Sequence, residues 1–172
     1  MINMVLPLIA SEIYMHSYAF GEVLYPVSAK KQLTDLISSG KVKLVDQRTL
    51  STTDRAIYDM SYSALEQTMI DPRKPNKNKG EVCSLAYAKA TGIPIFATDE
   101  SSLQQIIDAQ LNTGINDIHC LRIRNVVEMI KNGEINLSRK YAKPCLSYNV
   151  EKLFNRINSN RFGHSLFEKM IA

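Results

Sequence analysis

The chain holds only three cysteines, Cys83, Cys120 and Cys145, and no two of them stand in CxxC or CxxxC spacing. That shortage excludes a thiolate zinc site and the disulfide framework of a small secreted domain, and it fits a cytoplasmic protein. Long apolar runs are missing as well. The longest, Met4 to Ala10, is interrupted by Pro7, lacks a basic flank and falls far short of the ~20 residues that a membrane span requires. We therefore expect no signal peptide, no membrane anchor and no membrane contact. Internal repeats, low-complexity segments, a Gly-rich phosphate loop and a Ser/His/Asp pattern are also absent.

What remains is ordinary for one compact domain: 172 residues, 45% apolar and 22% charged. A chain of this length buries roughly 70% of its unfolded surface, so it needs no disulfide or structural metal to be stable. The charge is uneven. Residues 1–121 carry 11 Lys+Arg against 13 Asp+Glu, whereas residues 122–172 carry 10 against 4. A second basic cluster, Arg73, Lys74, Lys77 and Lys79, lies in a Pro-containing stretch that reads as an exposed loop. Both features suit phosphate contacts, and both are equally compatible with solvated surface.

Apolar spacing predicts alternating strands and helices. Residues 2–9 read as the last turns of a helix, Ile13 to His16 as a strand, and Tyr18 to Leu24 as a helix stopped by Pro26. Residues 28–39 carry the stripe Leu33, Leu36 and Ile37, with Ser28 expected to cap the helix and Gly40 to end it. Val42 to Val45 is the next strand, followed by a helix from Thr53 or Asp54 to about Ile70. After the basic loop come a helix over Gly80 to Thr91, a strand over Pro94 to Thr98, and a helix capped by Ser101 or Ser102 that ends near Gly114. A last strand, Ile118 to Ile123, leads into a helix over Val126 to Lys131. Glu151 to Phe162 and Ser165 to Ile171 read as helices. Strands separated by helices of this size predict an α/β fold with a parallel sheet of about four strands from this chain, covered on both faces.

Ligands of such sheets bind at the carboxyl ends of the strands. Three acids fall where that rule points: Glu22, on the helix after the first strand; Glu81, at the start of the helix after the basic loop; and Asp99, directly after a strand, with Glu100 next to it. Carboxylates without Cys or His partners suit a hard cation such as Mg²⁺ or Mn²⁺, which can activate water for phosphodiester hydrolysis. Taken singly, Glu81 is also a first-turn acid and Asp99 a helix cap. His16 and His119 fall in apolar strands and read as satisfied core or rim histidines, and Cys83 as a buried thiol.

The segment Gly80-Glu-Val-Cys-Ser-Leu-Ala-Tyr-Ala-Lys-Ala-Thr-Gly-Ile-Pro-Ile-Phe-Ala-Thr-Asp-Glu100 resembles the signature of PIN-domain nucleases. Glu12 to Leu24 resembles that family's second strand and the helix carrying its second acid, and Asn112 to Arg124 its closing strand. The resemblance covers residues 1–132 and implies a three-layer PIN-like α/β domain, with residues 133–172 as a basic helical C-terminal extension. It implies Glu22, Glu81 and Asp99 as catalytic and metal-holding acids, Glu100 as an accessory ligand, and Mg²⁺ or Mn²⁺ as the cofactor. RNA is the implied substrate, often cut by the toxin half of a toxin–antitoxin pair. Arg73, Lys74, Lys77, Lys79, Arg139, Lys140 and Lys143 are the expected RNA-binding cations.

The sequence departs from the family in its first strand, whose end supplies an Asp, since no Asp precedes Asp35. Residues 1–6 cannot be that strand, because a parallel crossover to Ile13 needs a dozen or more residues. The strand would be central, so the expectation is that the remaining strands close up, another chain fills the gap, or the natural product starts upstream. A homo- or hetero-oligomer, or an antitoxin or other protein partner, follows from the second case. The alternative to a ribonuclease is a catalytically silent PIN-like regulator of a phage or mobile element.

Overall fold

The computed structural model describes residues 8–136. The expectations for residues 1–6, for the extension past residue 136, and for Arg139, Lys140, Lys143, Cys145 and His164 lie outside the described residues.

Along the chain run β1 (Tyr14–His16), α1 (Ser17–Glu22), α2 (Val27–Ser38), β2 (Lys43–Val45), a single 3₁₀ turn (Gln47–Thr49), α3 (Thr52–Met69), α4 (Lys79–Thr91), β3 (Ile95–Ala97), α5 (Leu103–Gln110), β4 (His119–Leu121) and α6 (Ile123–Lys131). Of the expected helix over residues 2–9, Leu8 and Ile9 are described and helical. The alternation of helix and parallel strand makes this an α/β chain.

Helix ends differ from the expectation where a local cap competes. Ser28 does not cap α2: Pro26, with φ −70°, occupies the cap position and Ser28 lies inside the helix. The fixed proline φ already suits a helix start, so α2 begins earlier than the hydroxyl alone would place it. Ser51 starts α3, accepting from the Asp54 N–H at 3.1 Å and donating to the Asp54 carboxylate at 2.8 Å. Ser102 precedes α5 without a side-chain cap. Gly92 closes α4 in the left-handed region, φ 71°, and its N–H bonds the Ala88 carbonyl.

One continuous sheet does not form. β1 pairs in parallel with β2 (Met15 opposite Leu44), and β3 in parallel with β4 (Phe96 opposite Cys120), as two separate two-stranded sheets. The Ile13 carbonyl accepts from Lys43 and the Pro94 carbonyl from His119. Alternate residues therefore face the partner strand, and the backbone groups of Tyr14 and Ile95 point to the opposite edges. A groove of about 530 Å³ lies between, lined by Ile9, Ile13 and Tyr14 on one side and Gly92, Ile93 and Ile95 on the other.

α4 joins the halves. Val82, Leu85, Ala86 and Ala88 are fully buried, and the helix touches α1, α3, β1 and β3. A helix apolar nearly all round belongs in an interior. On one side Leu65, Val82, Leu85, Phe96, Leu103, Ile107 and Ile118 form a core, each worth roughly 1.5–3 kcal/mol of burial. On the other, Ala97 of β3 enters the cluster of Ile13, Met15, Leu33, Leu36 and Val42, so the two pairs share a core without sharing a ladder. Among the described residues no helix is long and apolar enough to cross a membrane.

Candidate functional site

β1 ends at His16 and β2 at Val45, and their parallel pairing brings both carboxyl ends to one side of the molecule. A cleft of about 920 Å³ opens there, walled by α1, α3 and the start of α4. Its charged lining is balanced: Glu22, Asp46 and Asp59 against Arg48, Arg55 and Lys79. His16, Tyr18, Tyr58 and Tyr62 supply aromatic faces. The position agrees with the strand-end rule.

Asp46 is the anchor of the polar network. Its carboxylate accepts from Arg48 through Nε at 2.8 Å and Nη2 at 3.0 Å, from the Ser17 hydroxyl at 2.6 Å, and from the Arg48 N–H at 2.9 Å. The Arg48 guanidinium first, then Ser17, hold its carboxyl well below the usual carboxylate range. Arg55 pairs with Asp59 at 2.9 Å and lies 5.6 Å above the Tyr58 ring. Tyr58 stacks between His16 and Tyr62, with ring centroids 6.4 and 6.1 Å away. Burial pushes the Tyr58 phenol upward and Tyr62 up to about 12, so both remain neutral donors. Burial also raises the Cys83 thiol, which keeps it from thiolate chemistry.

Glu22 is half-buried at the end of α1 and lies against α4. A Cβ built on Gly80 would collide with the Glu22 carboxylate and stand 3.4 Å from the Ala19 Cα. Glycine at position 80 leaves that place open to the Glu22 carboxylate, which a larger side chain would have to displace. No protein-family model, curated protein or solved structure matches this chain. Function therefore rests on the residues of the cleft themselves.

Of the expected acids, Glu22 lines the cleft, and Glu81 is half-buried in the first turn of α4. Asp99 is buried at the end of β3, where its carboxylate accepts from the Ile123 N–H at 3.3 Å. Asp99 does serve a helix start, that of α6 rather than α5. The Glu100 carboxylate accepts from Ser102 at 3.3 Å. Among the described residues no three His, Cys, Asp or Glu side chains stand close enough together to hold one metal ion.

Of the expected cations, Arg73, Lys74 and Lys77 are exposed. Lys79 enters the cleft, its ammonium 5.2 Å from the Tyr18 ring. Tyr18 also reaches back to Asn76 at 3.4 Å, which ties the basic loop to the cleft mouth.

The sequence reading passed over an acid of the cleft and read its histidine as a satisfied one. Asp46 follows the expected strand Val42 to Val45 directly, so the rule that selected Asp99 would have found it. His16 is only 1% exposed, as expected of a core histidine, but it is not satisfied: Nδ1 accepts from the Tyr18 N–H at 3.2 Å, while Nε2 has no partner. No sequence signal separates these two cases. His119 is exposed.

Proposed function

We propose that the protein is a PIN-like ribonuclease that depends on Mg²⁺ or Mn²⁺ and hydrolyses RNA phosphodiesters at this cleft. The seat of Glu22 on Gly80 carries the reading. It brings a carboxylate from the helix after β1 onto the first turn of α4, beside Glu81 in the chain, in a cleft lined by cations and tyrosines. Mg²⁺ suits such a place, because it keeps several waters and is commonly bound through one or two carboxylates plus substrate phosphates. Glu22 and Glu81 would hold it, with Asp99 and Glu100 at the end of β3 as further acids. When bound, such an ion lowers the pKa of its water and offsets phosphate charge. The lining charges cancel without it. Lys79 and the loop cations Arg73, Lys74 and Lys77 would hold the RNA backbone, and Tyr18 and Tyr62 offer faces for unstacked bases.

The test combines Mn²⁺ titration calorimetry with cleavage of a fluorescent single-stranded RNA, with and without chelator. Metal-dependent cleavage should be lost in Glu22→Gln and Glu81→Gln, each by ~10² or more. A folded protein that neither binds Mn²⁺ nor cuts RNA overturns the enzymatic reading. Its alternative is a binding protein without catalysis, favoured by the lack of a three-acid cluster among the described residues and by the engagement of Asp99 with Ile123. The open edges of β1 and β3 support a protein partner or a second copy in either case, and sedimentation would measure it.

A further inference from the structure

The groove between β1 and β3 has the edges of a strand position. It is lined by Ile13 and Tyr14 at the amino end of β1 and by Pro94 and Ile95 at the amino end of β3, so the two strands run the same way past it. They stand farther apart than paired strands do, and α4 packs on both. One strand between them would need about 9.5–10 Å, which is two ladder spacings. Because Ile13 and Pro94 turn their carbonyls to β2 and β4, the backbone groups of Tyr14 and Ile95 face the groove. Ile95 is 44% exposed, so that edge is open to an occupant.

The described chain ends beside this groove. α6 follows β4, and Ile135 beyond it packs with Val126 and Ile130 against Ile9 and Leu121. Ile9 and Leu121 also line the groove. Residues 137–172 follow, and among them Leu146-Ser-Tyr-Asn-Val150 alternates apolar and polar residues behind Pro144. That is the period of a strand. The residues between Asn136 and Leu146 reach about 30 Å when extended, enough to enter the groove.

The handedness of the connections agrees. Ala97 and its register partner Leu121 lie on one face of the strands, where α2 packs over Ala97 and α6 over Leu121. α3, α4 and α5 cover the other face, over Phe96 and Cys120. A connection from β1 through α2 to β2 and one from β4 through α6 into the groove cross the strands in the same sense. Parallel crossovers share one hand, so the two helices must lie on the same face, as they do.

We infer that Leu146–Val150 is a further strand, which enters the groove from its amino end and pairs in parallel with β1 on one side and β3 on the other. The two pairs then become one sheet in the order β2, β1, Leu146–Val150, β3, β4. Its direction carries Glu151, the next residue, to the carboxyl ends, where the cleft of Glu22 opens. The inference is independent of the ribonuclease reading, since it uses only backbone pairing and topology.

Hydrogen–deuterium exchange of the full-length protein, with sedimentation of the same sample, tests this. In a monomer of 19.4 kDa, the amides of Leu146–Val150, Tyr14 and Ile95 should exchange slower than in an unfolded chain by ~10² or more. Ser147→Pro, which cannot donate to a ladder, should release Tyr14 and Ile95 by ~tenfold or more and leave α5 protected. Ala142→Pro, in the connection, should leave all of them protected. Exchange of Leu146–Val150 at the unfolded rate in the wild type overturns the inference, whether or not Ser147→Pro folds. Protection seen only in a dimer assigns the groove to a second copy, and protection of Tyr14 and Ile95 gained only with another protein assigns it to a partner. Either result overturns the inference as well.

Discussion

Gly80→Ala should act on stability in opposite directions according to what stands at position 22. Gly80 is the second residue of α4, and alanine in a helix is favoured over glycine by roughly 0.5–1 kcal/mol. The near end of that range applies here, because the position lies in the first turn. Against this gain stands the collision of the new Cβ with the Glu22 carboxylate, while the Ala19 backbone at 3.4 Å is in ordinary contact and need not move. The carboxylate is the far end of a flexible side chain, so it turns away into a poorer rotamer at ~0.5–1.5 kcal/mol. Alone, Gly80→Ala should therefore leave stability unchanged or lower it by up to ~1 kcal/mol. In a Glu22→Ala background the obstruction is gone and the same substitution should stabilise by ~0.5 kcal/mol. The coupling from the double-mutant cycle is then on the order of 1 kcal/mol. Urea denaturation of the four proteins reads it from the midpoints at constant slope. Equal effects of Gly80→Ala in both backgrounds would show that Glu22 is not seated on α4, and the proposed metal site would lose its foundation. A companion measurement is Mn²⁺ affinity, which should fall in Gly80→Ala even where stability does not.

Phe96→Ala empties a fully buried position in the main core and should cost ~3–5 kcal/mol; a loss under ~1 kcal/mol in urea denaturation would contradict that packing. His16 titrates below its ordinary 6.5 in the fold, so the unfolded chain takes up the proton first. Its stabilising contribution is complete above 6.5 and is lost as the pH falls through the lowered value. Denaturation midpoints should decline over that interval in the wild type and decline less in His16→Gln; equal slopes would refute it. Replacing Arg73, Lys74, Lys77 and Lys79 with alanine should weaken RNA binding and flatten the dependence of log affinity on log salt by ~0.7 for each phosphate that is no longer neutralised. An unchanged slope would return the loop to solvated surface.

Helices and strands of this protein were legible because their signals are local. The stripe through Leu33 and Leu36 repeats at helical spacing, Gly92 supplies the left-handed turn that ends α4, and the apolar runs around Met15 and Phe96 are bounded by turn residues. The α/β class and the parallel sense of the strands follow from their alternation with helices. That Glu22 falls in the cleft at the strand ends was legible because the strand-end rule needs only the order of elements, and the same rule applied to Asp46 would have reached it. What the tertiary structure decided is everything that depends on distance between parts remote in the chain. Whether β1 and β3 share a ladder depends on which edges face each other, and Ala97 packing among Ile13 and Met15 without strand pairing is invisible in composition or period. Asp99 was an acid at a strand end in the sequence, and only folding set it against the Ile123 N–H. A buried histidine reads the same in sequence whether both its nitrogens are bonded or one is left open. Hydrogen-bond satisfaction belongs to neighbours in space, and His16 meets Gln47 only because β1 and β2 run side by side.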